Sequence, residues 1–195
     1  MALSEDPWRI HAVLPRSRAN GPGLRYVVWV QGCTLACPGC FNPETHSPLI
    51  PGVTAATPAA LADAVIAEAA IAAGEREPVE GVTLTGGEPL EQAEMASAFC
   101  QGIKDRSELG IIILTGFTRH EIERDQEKAR AVEHADMVIA GRYNPRLRIA
   151  RGLRGSSNKE YWARTRRYRP GDFAGVPEVE LLVGPDGTLT VTGTP

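Results

Sequence analysis

No stretch of this chain is long and apolar enough to cross a bilayer. The best candidate, residues 55–73, is interrupted by Pro58, Asp63 and Glu68 and reads as an alanine-rich helix. The N-terminal run Met-Ala-Leu-Ser-Glu-Asp-Pro has acids where a secretory signal needs bases, and it lacks an apolar centre. No internal repeat or low-complexity tract is present, so a single globular domain with a small appendage is expected from 195 residues. The four histidines, His11, His46, His120 and His134, form no metal pair at helical spacing and read as structural or exposed. Apolar content of 43% and charged content of 23% are ordinary for a soluble protein. Together these features point to a cytosolic protein with reduced thiols, where clustered cysteines bind metal or do chemistry.

Cysteine itself is scarce, yet three of the four fall in one short loop. Cys33, Cys37 and Cys40 follow a C-x3-C-x2-C spacing in Gly32-Cys-Thr-Leu-Ala-Cys-Pro-Gly-Cys-Phe41. Three thiolates can hold three irons of a [4Fe–4S] cubane and leave the fourth open to a small molecule, which points to an enzyme. A structural zinc site with His46 as fourth ligand is the rival, but zinc ligands usually come as two pairs and no second pair follows. Cys100 lies apart, in a segment expected to be helical, and reads as a small buried hydrophobe.

Around this loop the pattern alternates. A strand is expected over 25–30, rich in β-branched and aromatic residues, with Trp29 as a core side chain. Thr57-Pro58 opens a helix to about residue 73. Strands follow over 81–85, 111–115 and 137–140, with helices over 91–104 and 119–133 between them. The tail carries a hairpin signal, residues 178–183 and 188–192 around Gly184-Pro-Asp-Gly187. Alternating strands and helices imply an α/β fold with a parallel sheet, and ligands of such sheets bind at the carboxyl ends of the strands. The cysteine loop, Gly86-Gly87-Glu88-Pro89 and Thr115-Gly116-Phe117 each follow a strand, so they are expected to converge. Gly86 and Gly87 let the backbone approach a ligand and Glu88 offers an acceptor for an ammonium, although a plain strand-to-helix turn reads the same way.

Charge is distributed unevenly. The net charge is −3, but residues 142–169 hold nine Arg and one Lys against Glu160 alone, about +9 in one segment. Such a split suggests a basic face or loop with a specific partner, and because the segment follows the strand over 137–140 it is expected to border the site and help dock an acidic surface.

Taken in order, these segments resemble the radical S-adenosylmethionine (SAM) superfamily, and within it the activating enzymes of glycyl-radical enzymes of the anaerobic (class III) ribonucleotide reductase type. The resemblance rests on Asn20-Gly-Pro-Gly-Leu-Arg25, Val30-Gln-Gly-Cys33, the cysteine loop with Pro38-Gly39 and Phe41-Asn42, Leu84-Thr-Gly-Gly-Glu-Pro-Leu90, Leu114-Thr-Gly-Phe117 and Arg154-Gly-Ser-Ser-Asn158. It implies a partial (β/α) barrel with a mostly parallel sheet over residues 1–158, followed by a basic linker and hairpin extension over 159–195. It implies that Cys33, Cys37 and Cys40 bind the [4Fe–4S] cluster and that Gly39 to Phe41 lie against the adenine of SAM. Gly86, Gly87 and Glu88 would hold the methionine amino group, with Thr115 and Gly116 lining the same pocket. The implied reaction is reductive cleavage of SAM to a 5′-deoxyadenosyl radical, which takes a hydrogen from a glycine of a partner reductase. The electron would come from a flavodoxin-like or ferredoxin-like donor. Three departures stand out: Gly39 where many superfamily members have an aromatic, Ala140-Gly141 where Asp-Gly is common, and Lys159 where Gln is common. The chain has no glycyl-radical motif, so the radical must pass to another molecule.

A radical SAM enzyme or maturase acting on a small molecule or peptide is the alternative within the superfamily. A nucleic-acid-associated protein using the Arg-rich segment with Tyr143, Tyr161, Trp162 and Tyr168 is the reading from another class, and it leaves the cysteine loop unexplained.

Overall fold

The computed structural model describes residues 8–48 and 54–194; the acidic N-terminal run lies outside them. In chain order the elements are β1 (Trp8–Ser17), β2 (Leu24–Val30), β3 (Thr54–Ala56), α1 (Pro58–Ala72), β4 (Val79–Gly86), α2 (Ala93–Lys104), β5 (Gly110–Leu114), α3 (Arg119–Glu123), α4 (Gln126–Ala131), β6 (Met137–Ala140), β7 (Arg148–Arg151), β8 (Arg154–Ser156), β9 (Glu160–Ala163), β10 (Val179–Val183) and β11 (Leu189–Gly193).

Seven strands form one open sheet in the order β3-β1-β2-β4-β5-β6-β9. The central four, β2, β4, β5 and β6, run parallel, while β1, β3 and β9 add antiparallel at the two sides. The parallel strands are apolar on both faces, as a sheet covered on both sides requires. Ile111, Ile113 and Val138 turn to a core shared with Leu61, Val65, Phe99 and Ile103 of α1 and α2. Ile112, Met137 and Ile139 turn the other way, onto Leu153, Tyr168, Phe173 and Val176. The second half of the chain thus covers the face that the helices leave open.

Local chemistry sets the helix boundaries. Thr57 Oγ1 accepts the Ala60 N–H, and Pro58 occupies the first helical position of α1. Ala55 and Ala56 belong to β3 rather than to this helix. The single helix expected over 119–133 is two. Asp125 Oδ1 accepts the N–H groups of Glu127 (3.1 Å) and Lys128 (3.2 Å), and so caps a new start. The C-terminal hairpin, β10 and β11, is anchored by Glu180, whose carboxylate accepts from Ser17 Oγ (2.7 Å) and the Arg18 N–H (2.9 Å). Its outer face leaves Leu181, Val183, Leu189 and Val191 exposed.

Opposite the carboxyl ends of the strands, a buried cation ties the sheet together. Arg25 is 0% exposed and donates to Tyr168 Oη (2.6 Å), Val82 O (2.5 Å), Gly110 O (2.9 Å) and Thr83 Oγ1 (3.3 Å). Gly81 makes room for it, since a Cβ there would lie 2.1 Å from Gly110 O and 2.5 Å from the Arg25 guanidinium. Arg25→Met would leave these acceptors without a charged donor, each such bond being worth about 1.5–3 kcal/mol. The expected loss is on the order of 3 kcal/mol, read as a lower urea midpoint at unchanged slope.

Candidate active site

The end of β2 and the end of β4 are level, Val30 pairing with Gly86, so the loops that follow meet. Gly87 N–H donates to Val30 O (2.8 Å) and Glu88 N–H to Gly32 O (2.8 Å), which stitches the glycine turn to the start of the cysteine loop. A Cβ at Gly87 would sit 2.3 Å from Gly32 O, and Gly86 has φ +100 with its Cβ position 2.6 Å from Val30 N. These two glycines are therefore required by the contact between the loops as well as by any ligand.

The cysteine loop is closed at both ends. Gly32 N–H donates to Thr45 O (2.8 Å) and Cys33 N–H to His46 O (3.0 Å). The Gln31 side chain, 0% exposed, donates to Glu44 O (3.1 Å) and Ser47 O (2.5 Å), and its Oε1 lies 2.7 Å from His11 Nδ1. Thr34 is held by Glu91, which accepts from both its N–H and its hydroxyl. Inside this frame Ala36 has φ 43 and Gly39 φ 67, the left-handed turns that bring the three cysteines round.

Cys33, Cys37 and Cys40 are free, half-buried thiols lining one cavity of about 890 Å³, part of it open to solvent. Burial, reinforced by Glu88 and Glu91, pushes the Cys33 thiol up to about 11. Such a thiol stays protonated at neutral pH until a cationic occupant displaces the proton, as metal ligation does. Cys100 is 0% exposed in α2, its thiol pushed up to about 12 by burial, and it does not line this cavity. Among the described residues, no three His, Cys, Asp or Glu side chains gather into a site for a single ion.

Of the residues singled out from the sequence, Phe41, Gly86, Gly87, Glu88, Thr115 and Gly116 line the cavity with the three cysteines. Gly39 does not; it is exposed, with Tyr143 and Pro145 its neighbours on the side a Cβ would occupy. Glu88 is 1% exposed and already occupied: it accepts from Leu90 N (2.9 Å), Thr115 Oγ1 (2.7 Å) and Gly116 N (2.7 Å). Burial pushes its carboxyl above the usual range, and these three donors pull it back.

Several lining residues were singled out from the sequence in other roles: Tyr143 as an aromatic of the basic segment, His46 as a rival zinc ligand and Lys159 as a departure from the family pattern. Tyr143 stacks on Phe41 with centroids 5.0 Å apart, and the Arg148 guanidinium lies 4.9 Å from the Phe41 ring. Gly155 makes that wall possible, since a Cβ there would be 2.5 Å from the Phe41 ring. In the same run Ser156 Oγ accepts from Asn144 N (3.1 Å) and Asn158 Nδ2 donates to Arg142 O (2.8 Å), so Arg154-Gly-Ser-Ser-Asn158 works as a support. His46 also lines the cavity, and its Nε2 is buried without a partner. Lys159 reaches in from the start of β9, its Nζ donating to Gly141 O (2.5 Å) and Thr115 O (3.1 Å). Gly193 and Thr194, at the end of the hairpin, complete the lining.

The basic segment splits in two. β7 and β8 stand beside Phe41 at the cavity, but β9 runs antiparallel to β6 and carries the chain to the opposite end of the sheet. There Arg164 N–H donates to Asp136 O and Arg167 Nη2 to Glu80 O. The expectation that the whole segment borders the site therefore holds for its first half only.

The family described as "4Fe-4S single cluster domain" matches residues 19–162. The anaerobic ribonucleoside-triphosphate reductase-activating protein of Enterobacteria phage T4 is 30% identical over 157 residues, 78% of this chain and 92% of the relative. The protein of that name from Escherichia coli is 28% identical over 155 residues, 76% of this chain and 94% of the relative. A pyruvate formate-lyase-activating enzyme of Listeria monocytogenes is 34% identical over 99 residues, 50% of this chain and 37% of that enzyme. Among solved structures, QueE from Escherichia coli aligns with a TM-score of 0.45 and 16% identity over 69% of this chain and 71% of that one.

Proposed function

The chain belongs to the single-cluster 4Fe–4S family of radical SAM activating enzymes, and from that premise we propose that it raises a glycyl radical on an anaerobic ribonucleoside-triphosphate reductase. The observation that carries this reading is the cavity, where three free thiols of one loop face a glycine turn at the carboxyl ends of parallel strands. Cys33, Cys37 and Cys40 would each hold one iron of the [4Fe–4S] cluster, leaving a fourth iron for SAM. When bound and reduced, the cluster supplies the electron that splits SAM into methionine and a 5′-deoxyadenosyl radical.

The residues of the chain bind, orient and enclose. A carboxylate has about four acceptor sites, so the three donors on Glu88 leave it one, which with the backbone of Gly86 and Gly87 receives the methionine ammonium. Thr115 and Gly116 form the floor. The Phe41 end of this turn takes the adenine, its ring backed by Tyr143. On this reading the open sheet is the partial (β/α) barrel of the radical SAM type. Residues 1–158 are its core, and 159–195 are an extension whose first strand, β9, pairs with β6. Among the described residues no helix is long and apolar enough to cross a membrane. The reading places the protein in the cytoplasm, served by a flavodoxin-like or ferredoxin-like donor.

Anaerobic incubation of the reconstituted protein with SAM, reductant and a candidate reductase should give the doublet of a glycyl radical by electron paramagnetic resonance. SAM cleavage without any glycyl radical on the reductase overturns the assignment of the partner.

The split of the basic segment makes docking testable. Arg146 and Arg151 are exposed on the cavity side, whereas Arg166 is exposed at the far end of the sheet. Arg146→Glu with Arg151→Glu should slow activation of the reductase by about tenfold at low salt and flatten its salt dependence, as loss of electrostatic steering does. Arg166→Glu should leave it within about twofold, and SAM cleavage with an artificial reductant should be unchanged in both, measured as 5′-deoxyadenosine formed.

A further inference from the structure

The Lys159 side chain and the backbone that follows Ala140 meet at one point. The Lys159 ammonium is bound to Gly141 O at 2.5 Å and to Thr115 O at 3.1 Å, the carbonyls that follow β6 and β5. An ammonium has three N–H groups, so two are spent on fixing its place and one is left. Its side chain lines the cavity of the three cysteines, and among the described lining residues it is the one Lys or Arg. Facing it are the Glu88 carboxylate and the thiols of Cys37 and Cys40. Burial holds the Lys159 ammonium below its ordinary value, and the charges of Glu88, Cys37 and Cys40 offset this only in part.

We propose that Lys159 is a charge-positioning residue for the cluster, a fixed cation that favours the one-electron-reduced form and raises the potential at which the site accepts its electron. The proposal rests on the radical SAM reading and goes further, since it says what in this chain tunes the reduction. The step is a single electron passed from a low-potential protein donor, or from dithionite in the test; no bond forms or breaks. A cation held by two carbonyls in a partly enclosed site acts through a dielectric well below that of water, and it need not reorganise when the electron arrives.

The test is an electron paramagnetic resonance redox titration of the anaerobically reconstituted protein without SAM, comparing wild type, Lys159→Gln and Lys159→Arg at equal iron and sulfide content. Lys159→Gln should make reduction at least tenfold less favourable, a midpoint about 59 mV more negative for a one-electron couple. Lys159→Arg, which keeps the charge, should stay within about threefold of wild type. If Lys159→Gln takes up no iron, Lys159→Met carries the same expectation. A loaded neutral variant whose midpoint stays within threefold of wild type overturns the proposal, as does an Arg variant that falls as low as Gln. An unchanged midpoint with tenfold weaker SAM binding overturns it too, and would assign the ammonium to the SAM carboxylate. Failure of the underlying reading looks different: wild type itself would take up no cluster, or would take one up and leave SAM intact.

Discussion

Alanine at any one of Cys33, Cys37 or Cys40 is expected to abolish the cluster and reduce SAM cleavage to background, while Cys100→Ala keeps both. The wild-type protein should carry about four irons and four sulfides per chain, as one cubane requires. On the proposed reading each thiol of the loop would serve a different iron, so no neighbour could substitute for the one removed. The loop is also too tightly clipped to shift a replacement into place: Gln31, Gly32 and Cys33 bind the backbone of residues 44–47, and Thr34 is held by Glu91. Cys100 sits in the helical core, fully buried with its thiol pushed up to about 12, and its truncation should cost only about 1 kcal/mol of packing. Iron and sulfide analysis with 5′-deoxyadenosine assays decides the matter. A protein that binds one zinc, no sulfide, and is indifferent to the loss of a single loop cysteine would sink the cluster assignment.

Much of this site was legible in the sequence because its residues follow strands directly. Cysteine spacing, Gly86-Gly87 and Thr115-Gly116 are local patterns, and the parallel order β2-β4-β5-β6 brings them to one end. The antiparallel additions were harder to read. β1 shows as a mere apolar run, and β9 is the short, charge-flanked Glu-Tyr-Trp-Ala whose place is set by pairing with β6 rather than by propensity. Missing β9 hides two further things. Lys159 enters the cavity only because β9 starts there, and residues 164–169 leave it only because β9 runs away from it. The break between α3 and α4 was lost in a continuous helical period, although Asp125 is a cap by type. Tyr143 and Gly155 are joined to Phe41 by long-range packing, for which a single sequence carries no signal.

Glu88→Ala should cost the folded protein on the order of 4 kcal/mol even with no cluster and no SAM present. A residue that served the ligand alone would leave the apo protein untouched. Glu88 instead holds three donors from two loops, the N–H groups of Leu90 and Gly116 and the hydroxyl of Thr115, in a place where it is 1% exposed. Alanine strands all three, and an unpaired buried donor costs about 1–3 kcal/mol. Glu88→Gln should do little better despite its matching shape. Both carboxylate oxygens are acceptors here, so an amide must turn its NH2 group either toward Gly116 N–H or toward Leu90 N–H and the Thr115 hydroxyl. On the proposed reading SAM binding should weaken in both variants by a further 1.5–3 kcal/mol or so, the range for a hydrogen bond to a charged group, because the ammonium would lose the last acceptor site of the carboxylate. Urea unfolding of the cluster-free protein separates the two roles from SAM affinity measured on the loaded protein. Variants with wild-type urea midpoints and weak SAM binding would make Glu88 a ligand contact only, and the bridge between the β4 and β5 loops would then contribute nothing to the fold.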